Sequence, residues 1–282
     1  MPINDLDLQR LFSGRSDVVA GFALDLIRPR DRETALMLLQ AARALDRIDL
    51  DLIVCVDLER LDALNRWVLE RHPKSWYPQT AFFDPRQCKL DQAYWFAAVE
   101  RGVTSQALAA CDESLFAKIA SCCAERVIQP KPTFAGALES LHAIRDRSDA
   151  EPIPGEAIRL SGEALTLAQS VGKPIGWCGS GWTRSDKRGL GLAGMLSELS
   201  RSAAVSCWDI AGDAAFLASD LYERGMAAAY GYDRAVQDVA WLGSARGDIR
   251  GVRLLWSDAA TIKAVSASRA ASGWRLGEMV RA

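Results

Sequence analysis

The first clear pattern in the chain is a helical stripe. In RETALMLLQAARALDRI, Leu36, Leu39, Ala42 and Leu45 recur near the helical period, and Met37 and Leu38 widen the apolar face. The pattern then shifts to a short β-branched run, Leu52 to Val56, which predicts a strand. Asp57 is placed to cap a following helix with Leu58, Leu61, Leu64 and Val68 on one side, and Pro73 and Pro78 end that region. AYWFAAVERGVTSQALAA predicts a hairpin turning at Arg101-Gly102, and ESLFAKIASCCAERV predicts a helix. Proline and charge between QPKPTFAG and RDRSDAEPIPGE predict a loop or insertion. Two more apolar strands are expected in AIRLSGEALTLAQS and KPIGWCGSGW, separated by Val171-Gly172-Lys173. A glycine turn, a helix, a strand, a helix and a last strand complete the order. Helices and strands mixed in this way predict an α+β or α/β domain.

Bulk properties narrow the function classes. The chain has 282 residues, 49% of them hydrophobic and 25% charged, an ordinary globular balance with ample length for a core. A net charge of −2 argues against a nucleic-acid partner. No apolar run reaches the ~18–20 residues of a membrane span, so no membrane association is expected. MPINDLDLQRLFSGR has two early acids and no apolar core, which does not read as a secretory signal, and a cytoplasmic location is the expectation. Seven cysteines without a C-x-x-C pair, and two distant histidines, His72 and His142, predict reduced packed thiols and no metal centre.

The stretch that carries chemistry is SDKRGLGLAGMLSEL. Gly189, Gly191 and Gly194 have the G-x-G-x-x-G spacing of a dinucleotide turn, and Asp209 lies about where a ribose-binding acid belongs. Started at Arg188, the same letters have the R-x-x-G-x-A spacing of a turn that holds the pyrophosphate of coenzyme A. Both readings use one physical idea: glycines bring the backbone close to an anion, and the next helix offers unpaired N–H groups and its positive dipole end. That helix is well marked by Leu192, Met195, Leu196, Leu199 and Ala203. A dinucleotide turn should follow at once on a buried strand, and Thr183-Arg184-Ser185-Asp186-Lys187-Arg188 does not build one.

With strand, short basic loop and turn in this order, the sequence resembles the GCN5-related N-acetyltransferase family, whose central motif [RQ]-x-x-G-x-[GA] is matched by Arg188-Gly189-Leu190-Gly191-Leu192-Ala193. The resemblance implies a mixed, mostly antiparallel central sheet flanked by helices, the acyl-CoA N-acyltransferase fold. It implies that Arg188, Gly189, Leu190, Gly191, Leu192 and Ala193 hold the pyrophosphate of acetyl-CoA or another acyl-CoA. The strand before the turn would pair with the pantetheine arm, lined by Gly179, Ser180, Gly181 and Trp182. A second match, to A-x-x-L-Y-x-x-x-G-F, falls on Ala218, Leu221, Tyr222 and Gly225, with the glycine one residue early and Met226 in place of the aromatic residue. It implies Tyr222 as the acid that protonates the departing thiolate. The division that follows is an N-terminal helical extension over 1–48, an acyltransferase-like domain over 49–246 and a C-terminal extension over 247–282.

The implied activity is acyl-CoA-dependent N-acylation, most simply acetyl transfer to a small-molecule or peptide amine, with a homodimer left open. Trp76, Tyr77, Tyr94 and Trp95 gather where acyltransferases of this fold receive the acceptor. Glu163 and Glu113 are conceivable bases, but each reads first as an ordinary surface or turn acid. A P-loop and a serine-hydrolase elbow are excluded because neither spacing occurs. Two other classes stand beside the enzyme: a non-catalytic acyl-CoA-binding module that regulates or recruits, and an NAD(P)-binding oxidoreductase.

Overall fold

In the computed structural model, which describes residues 27–71, 79–103, 113–244 and 247–276, the first predicted helix forms as α1, Arg32–Asp46. The Asp31 side chain caps it, accepting a hydrogen bond from the Thr34 amide at 2.7 Å. Strand β1 (Leu50–Cys55) and helix α2 (Leu58–Arg71) follow as expected, with Leu58, Leu61, Leu64 and Val68 buried. Pro73, Trp76, Tyr77 and Pro78 lie outside the described residues.

Strand β2 (Ala93–Glu100) is antiparallel to β1 on one side and to β3 (Ile119–Ile128) on the other. Both of its edges are therefore taken by β1 and β3, and the second strand of the expected hairpin falls on residues 104–112, which lie outside the described ones. The helix expected in ESLFAKIASCCAERV is instead a short 3-10 helix, Glu113–Lys118, running into β3. Every residue of β3 is buried, because helices cover both faces, and a strand buried on both faces loses its alternating signature.

The proline-rich region holds the short helix α3 (Phe134–Glu139). The strand expected across AIRLSGEALTLAQS is confined to β4 (Ala157–Leu160), after which α4 (Gly162–Gln169) turns Ala164, Leu167 and Ala168 inward at helical spacing. Then come β5 (Ile175–Thr183), α5 (Leu192–Cys207), β6 (Gly212–Ala218), α6 (Ser219–Glu223), α7 (Met226–Ala229), β7 (Arg234–Ser244), β8 (Gly247–Asp258) and α8 (Ala259–Ser272).

One eight-stranded sheet results, in the order β1-β2-β3-β5-β6-β8-β7-β4. β5 and β6 are parallel and the other neighbours are antiparallel. This is the mixed, mostly antiparallel sheet flanked by helices that the sequence implies. It is not the doubly wound parallel sheet of a dinucleotide domain. β8, which starts at the expected 246/247 boundary, runs between β6 and β7, and α8 packs on α1 and α5.

The sheet separates two cores. On one face Trp177 stacks on Phe82 at 4.0 Å between ring centroids and meets Phe216 edge-on at 4.9 Å, with Trp95 and Trp241 in the same cluster. On the other face α1 and α5 bury Leu38, Leu45, Met195, Leu196 and Leu199 against Tyr94 and Phe96. Each large side chain so buried stabilises the fold by about 1.5–3 kcal/mol. Helix α5 is buried beyond its apolar stripe, polar residues included, because α1 and α8 roof its outer side. Glu198 of α5 accordingly takes both oxygens to Arg269 of α8, at 2.7 and 3.0 Å.

Candidate functional site

The parallel pairing of β5 with β6 holds at Gly176–Asp213 and Trp177–Ala214, and there the ladder ends. Both strands continue, β5 to Thr183 and β6 to Ala218, so the sheet splits into a wedge that is closed at Gly176 and opens toward the strand ends. On its other side β5 stays paired with β3, but with one residue too many. Ala124 faces Gly179 and Cys122 faces Trp182, two steps on β3 against three on β5. This bulge explains why Trp177 and Trp182, five positions apart, reach the same core, which strict alternation forbids. Ser180 absorbs the extra residue with φ of 48°, left-handed backbone that costs a non-glycine residue roughly 1 kcal/mol or more. Its hydroxyl is buried beside the Asn65 amide of α2, 3.5 Å away. Gly181 is exposed, with no atom within 4 Å of where a Cβ would stand.

Past β5 the chain is tied down by Arg184, which pairs with Asp186 at 2.7 Å and with Glu100 at 2.8 Å. Arg188 is exposed. Gly189 and Gly191 both have left-handed φ, 82° and 80°, and Gly191 is the N-cap of α5 with no side chain bonding across the cap. The first bond of the helix runs from the Met195 amide to the Gly191 carbonyl at 3.0 Å. The amides of Leu192, Ala193 and Gly194 therefore belong to the group that a helix start leaves without an intrahelical acceptor, and they carry the positive dipole end.

Because β5 and β6 run parallel, their C-terminal ends share one edge of the sheet. The glycine turn leaves from the first end and α6, with Tyr222, from the second. Gly179 to Trp182, the turn from Arg188 to Ala193 and the helix bearing Tyr222 therefore all lie at or beyond the C-terminal ends of these two strands. Tyr222 is partly buried, with the Arg253 guanidinium 4.2 Å from its ring centroid. Other sequence candidates separate. Tyr94 and Trp95 point to opposite faces of β2, one donating to the Ser200 carbonyl at 2.6 Å and the other to the Asp57 carbonyl at 2.9 Å, so the expected aromatic cluster does not form from them. Glu163 is exposed on α4, and Asp209 is exposed in the loop before β6.

At the closed end of the wedge, beneath α5, lies a polar cluster that the sequence reading missed. Glu125 of β3 faces Cys178 of β5, and Asp213 of β6 pairs with Gly176 of β5, so three acidic groups converge by strand register. Their ligand-type atoms lie within 4.8 Å of one another, and all three residues are buried. Tyr232 donates to Asp213 Oδ1 at 2.6 Å, and the Arg201 guanidinium lies 4.0 Å from the same carboxylate and 4.1 Å from the Tyr232 ring centroid. Burial first, and the Asp213 charge second, push the Glu125 carboxyl well above the usual carboxylate range; burial also raises Asp213. No spacing rule finds this group, because its members sit on three strands far apart in the chain.

No family model matches the chain, and no curated protein matches it in sequence. Among solved structures the chain is similar to Arabidopsis thaliana NAA60 in complex with acetyl-CoA, at 12% identity and a TM-score of 0.39, over 73% of this chain and 98% of that one. It is also similar to the Arabidopsis thaliana NAA60 complex with a bisubstrate analogue, at 12% identity and a TM-score of 0.40, over 73% and 97% of the two chains. No helix among the described residues is long and apolar enough to cross a membrane.

Proposed function

We propose that the protein is an acyl-CoA-dependent N-acyltransferase that moves an acetyl group from acetyl-CoA to an amine by direct attack. The observation that carries this reading is the wedge: a central strand that loses its parallel neighbour after Trp177, bulges at Ser180 and leads into an uncapped helix start through two left-handed glycines. A thin, extended ligand with an amide-bearing arm and a pyrophosphate at one end suits these three features in sequence. The arm would pair with the free edge of β5 along Gly179, Ser180, Gly181 and Trp182. The pyrophosphate would sit on the amides of the turn from Arg188 to Ala193, with the Arg188 guanidinium beside it.

In this reading the amine nitrogen attacks the thioester carbonyl carbon, the C–N bond forms and the C–S bond breaks. The attacking nitrogen gives up its proton to solvent, and the departing sulfur takes one from the hydroxyl of Tyr222, on the helix that follows β6. No covalent enzyme intermediate is needed. Burial pushes the Cys55, Cys122 and partly buried Cys207 thiols up to about 12 and Cys88 up to about 11, which makes them poor nucleophiles at neutral pH.

The test is a thermal-shift comparison of acetyl-CoA, coenzyme A and NADPH, followed by thiol release from acetyl-CoA over a panel of amines. Saturation at 100 times Kd stabilises the native state by about 2.7 kcal/mol, several degrees in Tm. A shift with acetyl-CoA together with amine-dependent thiol release supports the enzyme. Response to NADPH alone refutes the reading, and acyl-CoA binding without release over the whole panel reduces it to a binding module.

A further inference from the structure

We propose that Glu125, Cys178 and Asp213 form a buried site for one thiophilic divalent cation, of the zinc class, that fastens β3, β5 and β6 together at the closed end of the wedge. Register alone brings the three groups together, and their ligand atoms lie within 4.8 Å of one another. Two ligands of a tetrahedral zinc stand roughly 3.5 Å apart, given Zn–S near 2.3 Å and Zn–O near 2.1 Å, so side-chain rotation is enough to draw this set in.

The second observation is what these atoms lack. Both Glu125 oxygens and Asp213 Oδ2 are buried without a hydrogen-bond partner among the described residues. A Cβ placed on Gly176 would stand 2.6 Å from Glu125 Oε1 and 2.7 Å from Asp213 Oδ2, so the two orphaned oxygens converge over a strand position that lacks a side chain. Burying such atoms unpaired is costly. Arg201 does not supply the missing donors: three of its N–H groups go to the Ser197 and Tyr230 carbonyls and to the Ser257 hydroxyl, and its approach to the pair is to Asp213 Oδ1, at 4.0 Å, rather than to the orphaned oxygens. A single shared proton would join one oxygen of Glu125 to Asp213 and leave the other Glu125 oxygen orphaned. A cation satisfies all three.

Charge closes as well. Two carboxylates and a thiolate carry three negative charges, which a divalent ion and the Arg201 guanidinium balance. The thiolate selects zinc-like ions over magnesium or calcium, whose ligand sets are all oxygen. The outer contacts fit a ligand set held in place: Tyr232 donates to the second Asp213 oxygen at 2.6 Å, and the Ser197 hydroxyl is 3.6 Å from the Cys178 sulfur. Sealed beneath α5, the ion would enter as the chain folds.

The test uses the full chain, purified without chelators from zinc-replete medium. The expected result is about one zinc per chain by plasma mass spectrometry. Refolding with cobalt should give a thiolate-to-cobalt charge-transfer band that Cys178→Ser removes and Cys55→Ser keeps. Because Cys178→Ser or Glu125→Gln could impair folding, wild-type protein is also refolded with zinc or with a chelator, and a lower Tm in chelator is expected. Metal-free protein that refolds to the same Tm in chelator would overturn the proposal and leave a carboxyl pair sharing a proton. A cobalt band that survives Cys178→Ser in folded protein would place the metal elsewhere and overturn it too.

Discussion

Ala193→Glu separates the roles of the α5 start. Ala193 is the second residue of the helix and is partly exposed, so the longer side chain has a route to solvent. For the free protein the change is close to neutral: an acid in the first turn gains about 0.3–1 kcal/mol from the dipole, against a few tenths lost in helix propensity. For a bound pyrophosphate the sign reverses. One carboxylate about 5 Å from one phosphate charge, at an effective dielectric near 20, costs roughly 3 kcal/mol, a little over a hundredfold in Kd. Isothermal calorimetry with acetyl-CoA should show that loss, while the Tm of the free variant stays within a few degrees of wild type. Raising the salt should shrink the difference, because screening acts on the carboxylate–phosphate repulsion. An unchanged Kd in a folded variant would refute an anion site at this helix start. A large fall in Tm without ligand would refute the account of an uncapped, dipole-positive terminus.

Tyr222→Phe should lower kcat for amine acetylation by about a hundredfold or more and leave acetyl-CoA affinity unchanged, as expected of a general acid; equal kcat would remove Tyr222 from the chemistry. Trp177→Ala should destabilise by about 3–5 kcal/mol, lowering Tm on the order of 10 °C, because it empties the stack against Phe82 and the edge contact with Phe216. A loss under 1 kcal/mol by denaturant titration would show that the aromatic core closes over the gap. Site-resolved alkylation should find Cys55 and Cys122 nearly inert at pH 8, since burial holds each thiol up at about 12 and the thiolate is the nucleophile. Their labelling rates should rise about tenfold per pH unit while the protein stays folded; a rate flat in pH above 9 would contradict the raised values.

The helices that can be read from the chain are those with an apolar stripe against polar positions: in α1 and α2 the polar side is wet, and in α5 it faces the helices that roof it. The glycine turn shows itself because Gly189 and Gly191 occupy backbone that other residues avoid. β3 reads as helix in the sequence because burial on both faces leaves Cys122, Cys123 and Ala124 as an unbroken small apolar run. β4 reads too long in the sequence because Ala164, Leu165, Leu167 and Ala168 continue an apolar string whose change of period is visible only once Gly162 turns the chain. The bulge at Ser180 had no local sign, since an extra residue is defined against the partner strand. Glu125, Cys178 and Asp213 are the extreme case: each looks like an ordinary strand residue, and only register across β3, β5 and β6 makes them neighbours.

The split between β5 and β6 also bears on self-association. Among the described residues this sheet has four edges: the outer ones, β1 and the four-residue β4, and two inner ones that face each other across the wedge. An unpaired strand edge is a template for accretion by a neighbouring chain. The inner edges are guarded by their own geometry. A third strand between them needs about 9.6 Å from β5 to β6, twice the ordinary strand spacing, and the closed end at Gly176 holds them at one spacing. α5 packs over β5 on one face, so a peptide bearing side chains on that face would meet the helix. The fold can therefore keep a row of unpaired backbone groups in the middle of its sheet without inviting a second copy of itself to dock there.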